Sequence, residues 1–201
     1  WAVSGDAREA VTIREGLVAA HRGQVTWGRG ANLVDEPWLA DRLSVHGPAV
    51  ALDPRDAEDM IAEAVDVAGA ADVAVVVVGE AKEGSGESSS VTRLELSPGQ
   101  RALVEAVAET GTPLVLVVLA GRPLALEREA ALANALLYGW FGGTEAGHGI
   151  GDVLTGAADP GGRLAIAFPA RTGQVPVFHA AEPTGRPFAG RFTKFTTGYL
   201  D

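Results

Sequence analysis

The sequence lacks cysteine altogether and has only four histidines among its 201 residues. The absence of cysteine excludes disulfides, thiol catalysis and cysteine-ligated zinc. The histidines are scattered and form no H-x-x-x-H pair of zinc ligands; they are His21, His46, His148 and His179. We therefore expect no metal site and no cofactor, and we expect these histidines to have surface or packing roles.

Excess positive charge and long apolar runs are also missing. The net charge is −10, the pI is about 4.8, and no Lys/Arg cluster lines up on one predicted face. Binding to phosphate backbones or anionic lipid is therefore not expected, which argues against nucleic acid as a partner. The apolar runs reach about six residues, whereas a membrane span needs roughly 20. We expect a soluble chain without a membrane span, and its compartment stays open.

Three short apolar runs, at residues 73–78, 114–119 and 135–140, are the main structural signal. Their hydrophobicity is continuous rather than alternating, which is typical of strands in a parallel sheet covered on both faces. Residues 24–27 and 163–168 are two further strand candidates. We expect one domain over residues 1–201 of the α/β class, a three-layer αβα sandwich around a mostly parallel sheet of about six strands.

Helical patterns separate the strand candidates, at residues 6–20, 36–44, 54–70, 98–110 and 145–156. The predicted N-caps are Asp53, Ser97 and Thr144, and Gly111 is a predicted helix stop. After Pro169 the chain has several prolines, glycines and aromatic residues without clear periodicity. We expect residues 170–201 to form an extended tail.

A loop with the sequence GEAKEGSGESSS follows the first apolar run, where ligands of open parallel sheets bind. It has no phosphate-binding glycine pattern and no G-x-S-x-G elbow, because Ser85 lies in G-S-G. Its glutamates suit general acid/base catalysis, as in glycoside hydrolysis, and hydroxyls such as those of Ser85 and Ser88 suit a polyol. A solvated connection is the alternative, because no second carboxylate clearly forms a pair with the loop.

Several segments, taken in chain order, resemble a known family. They are GDAREAVTIREGLVAA, DPRDAEDMIAEAVDVAGAADVAVVVVGE, SGESSS, GTPLVLVVLAGRPLAL, WFGGTEAGHGIGDVLTGAADPGGRLAIAFP, QVPVFH, PTGRP and KFTTGYLD. Together they are similar to the second, α/β-sandwich domain of family 3 glycoside hydrolases of the bacterial β-glucosidase type. The resemblance covers essentially the whole chain.

The resemblance implies an active site divided between two domains. In the family a preceding TIM-like barrel carries an aspartate nucleophile, and the sandwich domain supplies the general acid/base glutamate. The matching residue is Glu87, with Glu80 and Glu83 as the alternatives. This sequence departs from the family at Val91, where an arginine is usual, and has Arg93 instead.

Further roles are implied by the same resemblance. His179, Thr184 and Arg186 are candidates for the aglycone side, with a purely structural role as an equal alternative. The turn formed by Gly142, Gly143 and Glu145 is expected to serve packing and capping.

The implied parent protein is a retaining exo-acting β-glucosidase that acts on a β-glucoside or oligosaccharide and includes the barrel as partner domain. The 201-residue chain alone is expected to be inactive. The alternatives are a β-xylosidase of the same family and a non-catalytic carbohydrate-binding or interaction module. A flavodoxin-like nucleotide-binding protein has only the architecture in its favour.

Overall fold

A computed structural model describes residues 6–44 and 50–180. Within them, three strands form one parallel sheet in the order β1 (Ala74–Gly79), β2 (Leu114–Leu119) and β3 (Ala135–Tyr138). Gly79 lies opposite Leu119, and Val118 lies opposite Tyr138. The carboxyl ends of all three strands therefore meet at the same end of the sheet.

Six α-helices accompany these strands in the described residues. They are α1 (Ile13–Ala20), α2 (Pro37–Arg42), α3 (Ala57–Gly69), α4 (Pro98–Glu109), α5 (Glu127–Leu132) and α6 (Ala146–Thr155), with short 3₁₀ turns at Ala7–Glu9, Lys82–Gly84 and Thr172–Gln174. Helix α4 connects β1 to β2, and α5 connects β2 to β3, as parallel strands require. None of these helices is long and apolar enough to cross a bilayer.

The hydrophobic core lies on one face of the sheet. Side chains alternate across a strand, and the even-numbered residues of β1 and β2 pack against α3 and α4. Leu116 and Val118 are fully buried there, together with Val104 of α4. Helix α4 begins where the sequence predicts, because the Ser97 hydroxyl accepts a hydrogen bond from the Gln100 backbone nitrogen at 3.4 Å.

The opposite face of β1 borders an open groove. Val75 and Val77 line this groove together with Val115 and Trp27, and Val77 is 43% exposed. Side chains of α1 and α6 lie across the groove. The α/β class and the parallel sheet are thus confirmed, whereas the described residues show neither six strands nor a complete third layer.

Two strand predictions were wrong. Residues 24–27 and 163–168 have no ladder partner and form irregular structure. A strand needs such a partner to satisfy its backbone groups, and short alternating segments do not reveal whether one exists. Leu164 and Ile166 are 67% and 53% exposed. Phe168 is held instead by ring contacts with Tyr138 and Trp140.

The N-terminal helical prediction was too long. The 3₁₀ turn at Ala7–Glu9 is separated from α1 by an extended stretch ending at Thr12, which is the N-cap of α1. The Thr12 hydroxyl accepts from the Glu15 backbone nitrogen at 3.2 Å, and the Glu15 carboxylate accepts from the Thr12 nitrogen at 2.8 Å. This capping box fixes where α1 begins.

Two predicted caps were misplaced. Helix α3 begins at Ala57 with Asp56 as N-cap, and the Asp53 carboxylate accepts hydrogen bonds from Arg55 instead. Helix α6 begins at Ala146 with Glu145 at the N-cap position. The carbonyl of Thr144 accepts a hydrogen bond from the backbone nitrogen of Val11 at 2.8 Å. The residues before α6 are therefore hydrogen-bonded to the residues before α1.

Candidate active site at the carboxyl ends of the strands

Gly79 ends β1 in a conformation that only glycine fits. Its φ is 153°, and a Cβ atom there would lie 1.8 Å from the carbonyl oxygen of Leu119. The next residue, Glu80, donates its backbone N–H to that same oxygen at 2.9 Å. The neighbouring strand therefore fixes the direction in which the glutamate-bearing loop leaves the sheet.

Gln100, the third residue of α4, holds the other side of Gly79. Its side-chain oxygen accepts from the Gly79 nitrogen at 2.7 Å, and its side-chain nitrogen donates to the carbonyls of Gly79 at 2.9 Å and Leu33 at 2.8 Å. Gln100 is buried. The sequence motifs did not point to this residue, although a polar residue on the buried stripe of α4, in line with Leu103 and Val107, is the signal that could have revealed it.

Arg122, which follows β2, connects the ends of all three strands. Its Nε lies 3.1 Å from Oε2 of Glu80, and both side chains are more than four-fifths buried. A second guanidinium nitrogen donates to the carbonyl of Gly84, and the Arg122 carbonyl accepts a hydrogen bond from the Tyr138 hydroxyl at the end of β3. No sequence motif marks Arg122, because its partners lie far away in the chain.

Burial affects the titration of two groups in this cluster. It raises the pKa of the Glu80 carboxyl, and the nearby Arg122 guanidinium acts in the opposite direction. Burial also raises the pKa of the Tyr138 hydroxyl, to about 12. The ion pair with Arg122 thus offsets only part of the effect of burial on the Glu80 carboxyl.

Glu87 projects from a tight turn at the outer part of the loop. Its side chain is exposed, and its two neighbours have positive φ angles, 119° at Gly86 and 60° at Ser88. Positive φ is uncommon for a residue with a side chain and concentrates at functional sites. The turn is closed by a hydrogen bond of 3.1 Å from the Ser89 hydroxyl to the Glu83 carbonyl. The structure therefore presents the Glu87 carboxylate to solvent.

The other predicted loop residues have different surroundings. Ser85 packs over Gly121 beside an exposed aromatic ring: a Cβ on Gly121 would lie 2.3 Å from the Ser85 hydroxyl and 2.6 Å from the ring of Phe141. Ser88 is exposed. The Glu83 side chain is 25% exposed and lies 3.8 Å from the Lys82 amine. Among the three glutamates, only Glu87 is fully directed outward.

The candidates in the tail are not joined to this loop. His179 lies in an exposed turn, and no hydrogen bond links it to the loop within residues 6–44 and 50–180. Thr184 and Arg186 lie outside the described residues. Thr172, by contrast, anchors the exit of the loop, because its hydroxyl accepts a hydrogen bond from the Leu94 backbone nitrogen at 3.0 Å.

Aromatic side chains surround the end of β3. Tyr138 packs with both Trp140 and Phe168 at centroid distances of 4.8 Å. Trp140 has a φ of 53°, and Phe141 is 42% exposed. The turn that follows is tightly packed, since a Cβ on Gly142 would lie 2.3 Å from the Cβ of Ala146. This end of the sheet thus combines an outward carboxylate, hydroxyl groups and an exposed aromatic ring, which are groups that bind sugars.

Metal ligands are not grouped at this end. The part of the chain that the structure describes contains no cluster of three or more His, Asp or Glu side chains that could hold a metal ion. Glu145 and His148 form a pair at 2.5 Å on the first turn of α6.

Comparison with known proteins gives matches over the whole chain. The family model described as "Glycosyl hydrolase family 3 C-terminal domain" matches residues 1–200. A periplasmic beta-glucosidase of Salmonella typhimurium is 42% identical over 204 residues, which cover 100% of this chain and 27% of that protein. A beta-xylosidase of Formosa agariphila is 38% identical over 121 residues, which cover 60% of this chain and 17% of that protein.

A solved structure shows the same relationship. The beta-glucosidase from Listeria innocua in complex with isofagomine superposes with a TM-score of 0.79 at 29% sequence identity. The match covers 98% of this chain and 25% of that chain. The present chain thus spans about a quarter of the length of the Salmonella and Listeria proteins.

Proposed function

The chain belongs to the glycosyl hydrolase family 3 C-terminal domain family, and we propose that it is the acid/base domain of a retaining exo-acting β-glucosidase. The observation that carries this proposal is the position of Glu87, exposed on a turn beyond the carboxyl ends of a parallel sheet. Ligands of such sheets bind at that position. A barrel domain elsewhere in the same polypeptide would supply the aspartate nucleophile.

Glu87 is a better acid/base candidate than Glu80 or Glu83 because of what each carboxylate contacts. Glu80 is mostly buried and paired with Arg122 at 3.1 Å. A carboxylate that is bound in this way cannot reach a substrate on another domain. Glu83 is partly covered, and its backbone carbonyl closes the loop. Glu87 is free to approach a partner surface.

The reaction would proceed in two steps. In the first, the barrel aspartate attacks the anomeric carbon and the protonated Glu87 carboxyl donates its proton to the leaving glycosidic oxygen. In the second, the Glu87 carboxylate takes a proton from water, which attacks the glycosyl-enzyme intermediate and releases the sugar. Retention requires the two carboxyl groups to lie about 5 to 5.5 Å apart, so the two domains must close over the substrate.

The hydroxyls beside Glu87 would contribute to substrate binding. Ser88 is exposed next to the acid/base, and Ser85 lies beside the Phe141 ring, so both are placed to contact the sugar or its leaving group. His179, Thr184 and Arg186 are proposed to contact the aglycone from the tail of the domain. No cofactor enters this mechanism.

The test uses the complete enzyme with its barrel domain and two aryl β-glucosides, one with a good and one with a poor leaving group. Glu87→Ala should lower turnover of the poor substrate about 10²- to 10⁴-fold and affect the good one far less in its first step. Azide should restore turnover and yield glucosyl azide. Glu83→Ala is the matched control on the same loop. Near-normal cleavage of both substrates by Glu87→Ala would refute the assignment.

The isolated 201-residue chain should hydrolyse neither substrate, because the proposed nucleophile and most of the sugar pocket lie on the barrel. The measurement is release of the aryl group by the purified chain at high concentration. Turnover that Glu87→Ala abolishes would contradict the divided site.

A β-xylosidase of the same family is the second candidate, since the Formosa agariphila relative is named a beta-xylosidase. The mechanism and the role of Glu87 would be unchanged. Comparing kcat/KM for an aryl β-glucoside and the matching β-xyloside distinguishes the two, because only the glucoside carries the extra hydroxymethyl group.

A further inference from the structure

We propose that Arg122 is a positioning residue for the acid/base loop, an inference that rests on the proposed function of Glu87. Arg122 does not lie at the tip of the loop. It holds the first part of the loop through Glu80 and Gly84, and it is itself held by Tyr138. The position of the Glu87 turn therefore depends on a side chain from a different strand end.

The contacts of Arg122 are suited to orientation as well as to stability. One guanidinium nitrogen binds the Glu80 carboxylate, one residue beyond β1, and another binds the Gly84 carbonyl, three residues before Glu87. A planar guanidinium holds two acceptors at a fixed relative angle, which a lysine amine cannot do. The short 3₁₀ turn Lys82–Gly84 begins two residues after Glu80 and ends at Gly84, so Arg122 holds the last residue of this turn and the approach to its first.

The backbone of Arg122 is fixed as well. Its carbonyl accepts a hydrogen bond from the Tyr138 hydroxyl. The preceding residue, Gly121, has no side chain, and Ser85 and the Phe141 ring fill the space beside it. The Arg122 side chain is 18% exposed and the Glu80 side chain 17%. Water therefore competes weakly for these contacts, and the arrangement is more rigid than a surface ion pair.

This arrangement predicts a specific kinetic defect. If Arg122 places the turn, its removal displaces the Glu87 carboxyl and slows proton donation to the leaving oxygen. A displacement of about 1 Å can lower a rate by about 100-fold. Arg122→Met should therefore lower kcat for the poor leaving group about 10- to 100-fold more than for the good one, with little change in KM. Arg122→Lys should recover part of the loss.

The deciding measurement is a double-mutant comparison in the complete enzyme. Once Glu87→Ala has removed the acid, adding Arg122→Met should change turnover of the poor substrate by about twofold or less, because both substitutions act on one step. Arg128→Met is the matched control, since Arg128 is an exposed arginine on α5 paired with Glu105 at 3.0 Å. Arg128→Met should leave the turnover of both substrates unchanged.

The outcomes separate this inference from the proposed function. If Glu87→Ala shows no leaving-group dependence and no azide rescue, the assignment of Glu87 fails. The alternative is that Glu87→Ala behaves as expected while Arg122→Met lowers the turnover of both substrates equally, or lowers turnover by its full factor even when Glu87→Ala is present. Either result means that Arg122 has only a structural role, and the inference is overturned. Should Arg122→Met fail to fold, the same comparison is decided by Arg122→Lys and Glu80→Gln.

Discussion

Replacing Gln100 with leucine should destabilise the chain strongly, because the side chain substitutes for a missing strand neighbour. β1 lies at the edge of the three-stranded sheet, and both backbone groups of its last residue, Gly79, bond to Gln100 at 2.7 and 2.9 Å. Leucine fills a similar volume but offers no donor or acceptor. The Gly79 N–H and C=O would then be buried without partners.

The expected loss follows from the number of groups left unpaired. Each buried unsatisfied polar group costs about 1 to 3 kcal/mol, so the two groups of Gly79 together amount to about 2 to 6 kcal/mol. The Leu33 carbonyl, which also accepts from Gln100, lies in a partly buried region and adds less. Such a loss is a large part of the roughly 5 to 15 kcal/mol that holds a domain folded.

Urea denaturation monitored by circular dichroism measures this loss as a shift of the unfolding midpoint at constant slope. Gln24→Leu is the matched control, because Gln24 is exposed and surface substitutions usually change stability by less than about 0.5 kcal/mol. If Gln100→Leu is no more destabilised than Gln24→Leu, the hydrogen bonds at Gly79 do not support the sheet and the reasoning is wrong.

Two further predictions concern pH and helix packing. Burial raises the Tyr138 pKa to about 12, and the resulting preference of the folded protein for the neutral phenol should stop stabilising it as the pH rises from about 10 towards 12. The free energy of unfolding of Tyr138→Phe, measured by urea denaturation, should therefore fall less steeply over that range than that of the unsubstituted protein. Equal slopes would contradict the burial of the Tyr138 hydroxyl. Gly147→Ala should destabilise the protein by about 1 to 3 kcal/mol, because its Cβ would lie 2.2 Å from the Thr12 carbonyl oxygen. A Cβ at Gly149 on the same helix would have no atom within 4 Å, so Gly149→Ala should be neutral or stabilising. Thermal unfolding of both variants is the measurement, and equal destabilisation would refute the close contact.

The elements that the sequence predicted well are those whose signal is local. Each of the three continuous apolar runs became a strand, and Ser97 became the cap of α4. Residues 24–27 and 163–168 were wrongly predicted as strands because a short alternating pattern does not show whether a neighbouring strand is available. The cap at Asp53 failed because its carboxylate binds Arg55, two residues away, in place of the first turn of the helix.

The candidate site divides in the same way. The loop and its three glutamates were found from composition and position, and the choice of Glu87 came from resemblance and stays a prediction. The two side chains that hold the loop were missed. Gln100 contacts Leu33, 67 positions away, and Arg122 contacts Glu80, 42 positions away. Contacts over such separations depend on the tertiary fold, which periodicity and composition do not specify.

The loop is fastened to the sheet largely through main-chain atoms, at Gly79, Gly84 and Leu94. The Leu94 carbonyl completes this set by accepting from the Ala125 nitrogen at 2.6 Å. Main-chain atoms are the same whatever the side chain, so the exposed residues 90–93 can be exchanged without loss of these attachments. The sheet and these attachment points thus form a fixed support for a loop segment whose sequence can vary. Libraries randomised in this stretch, with Glu87 kept, should yield folded variants that differ in the leaving groups they accept.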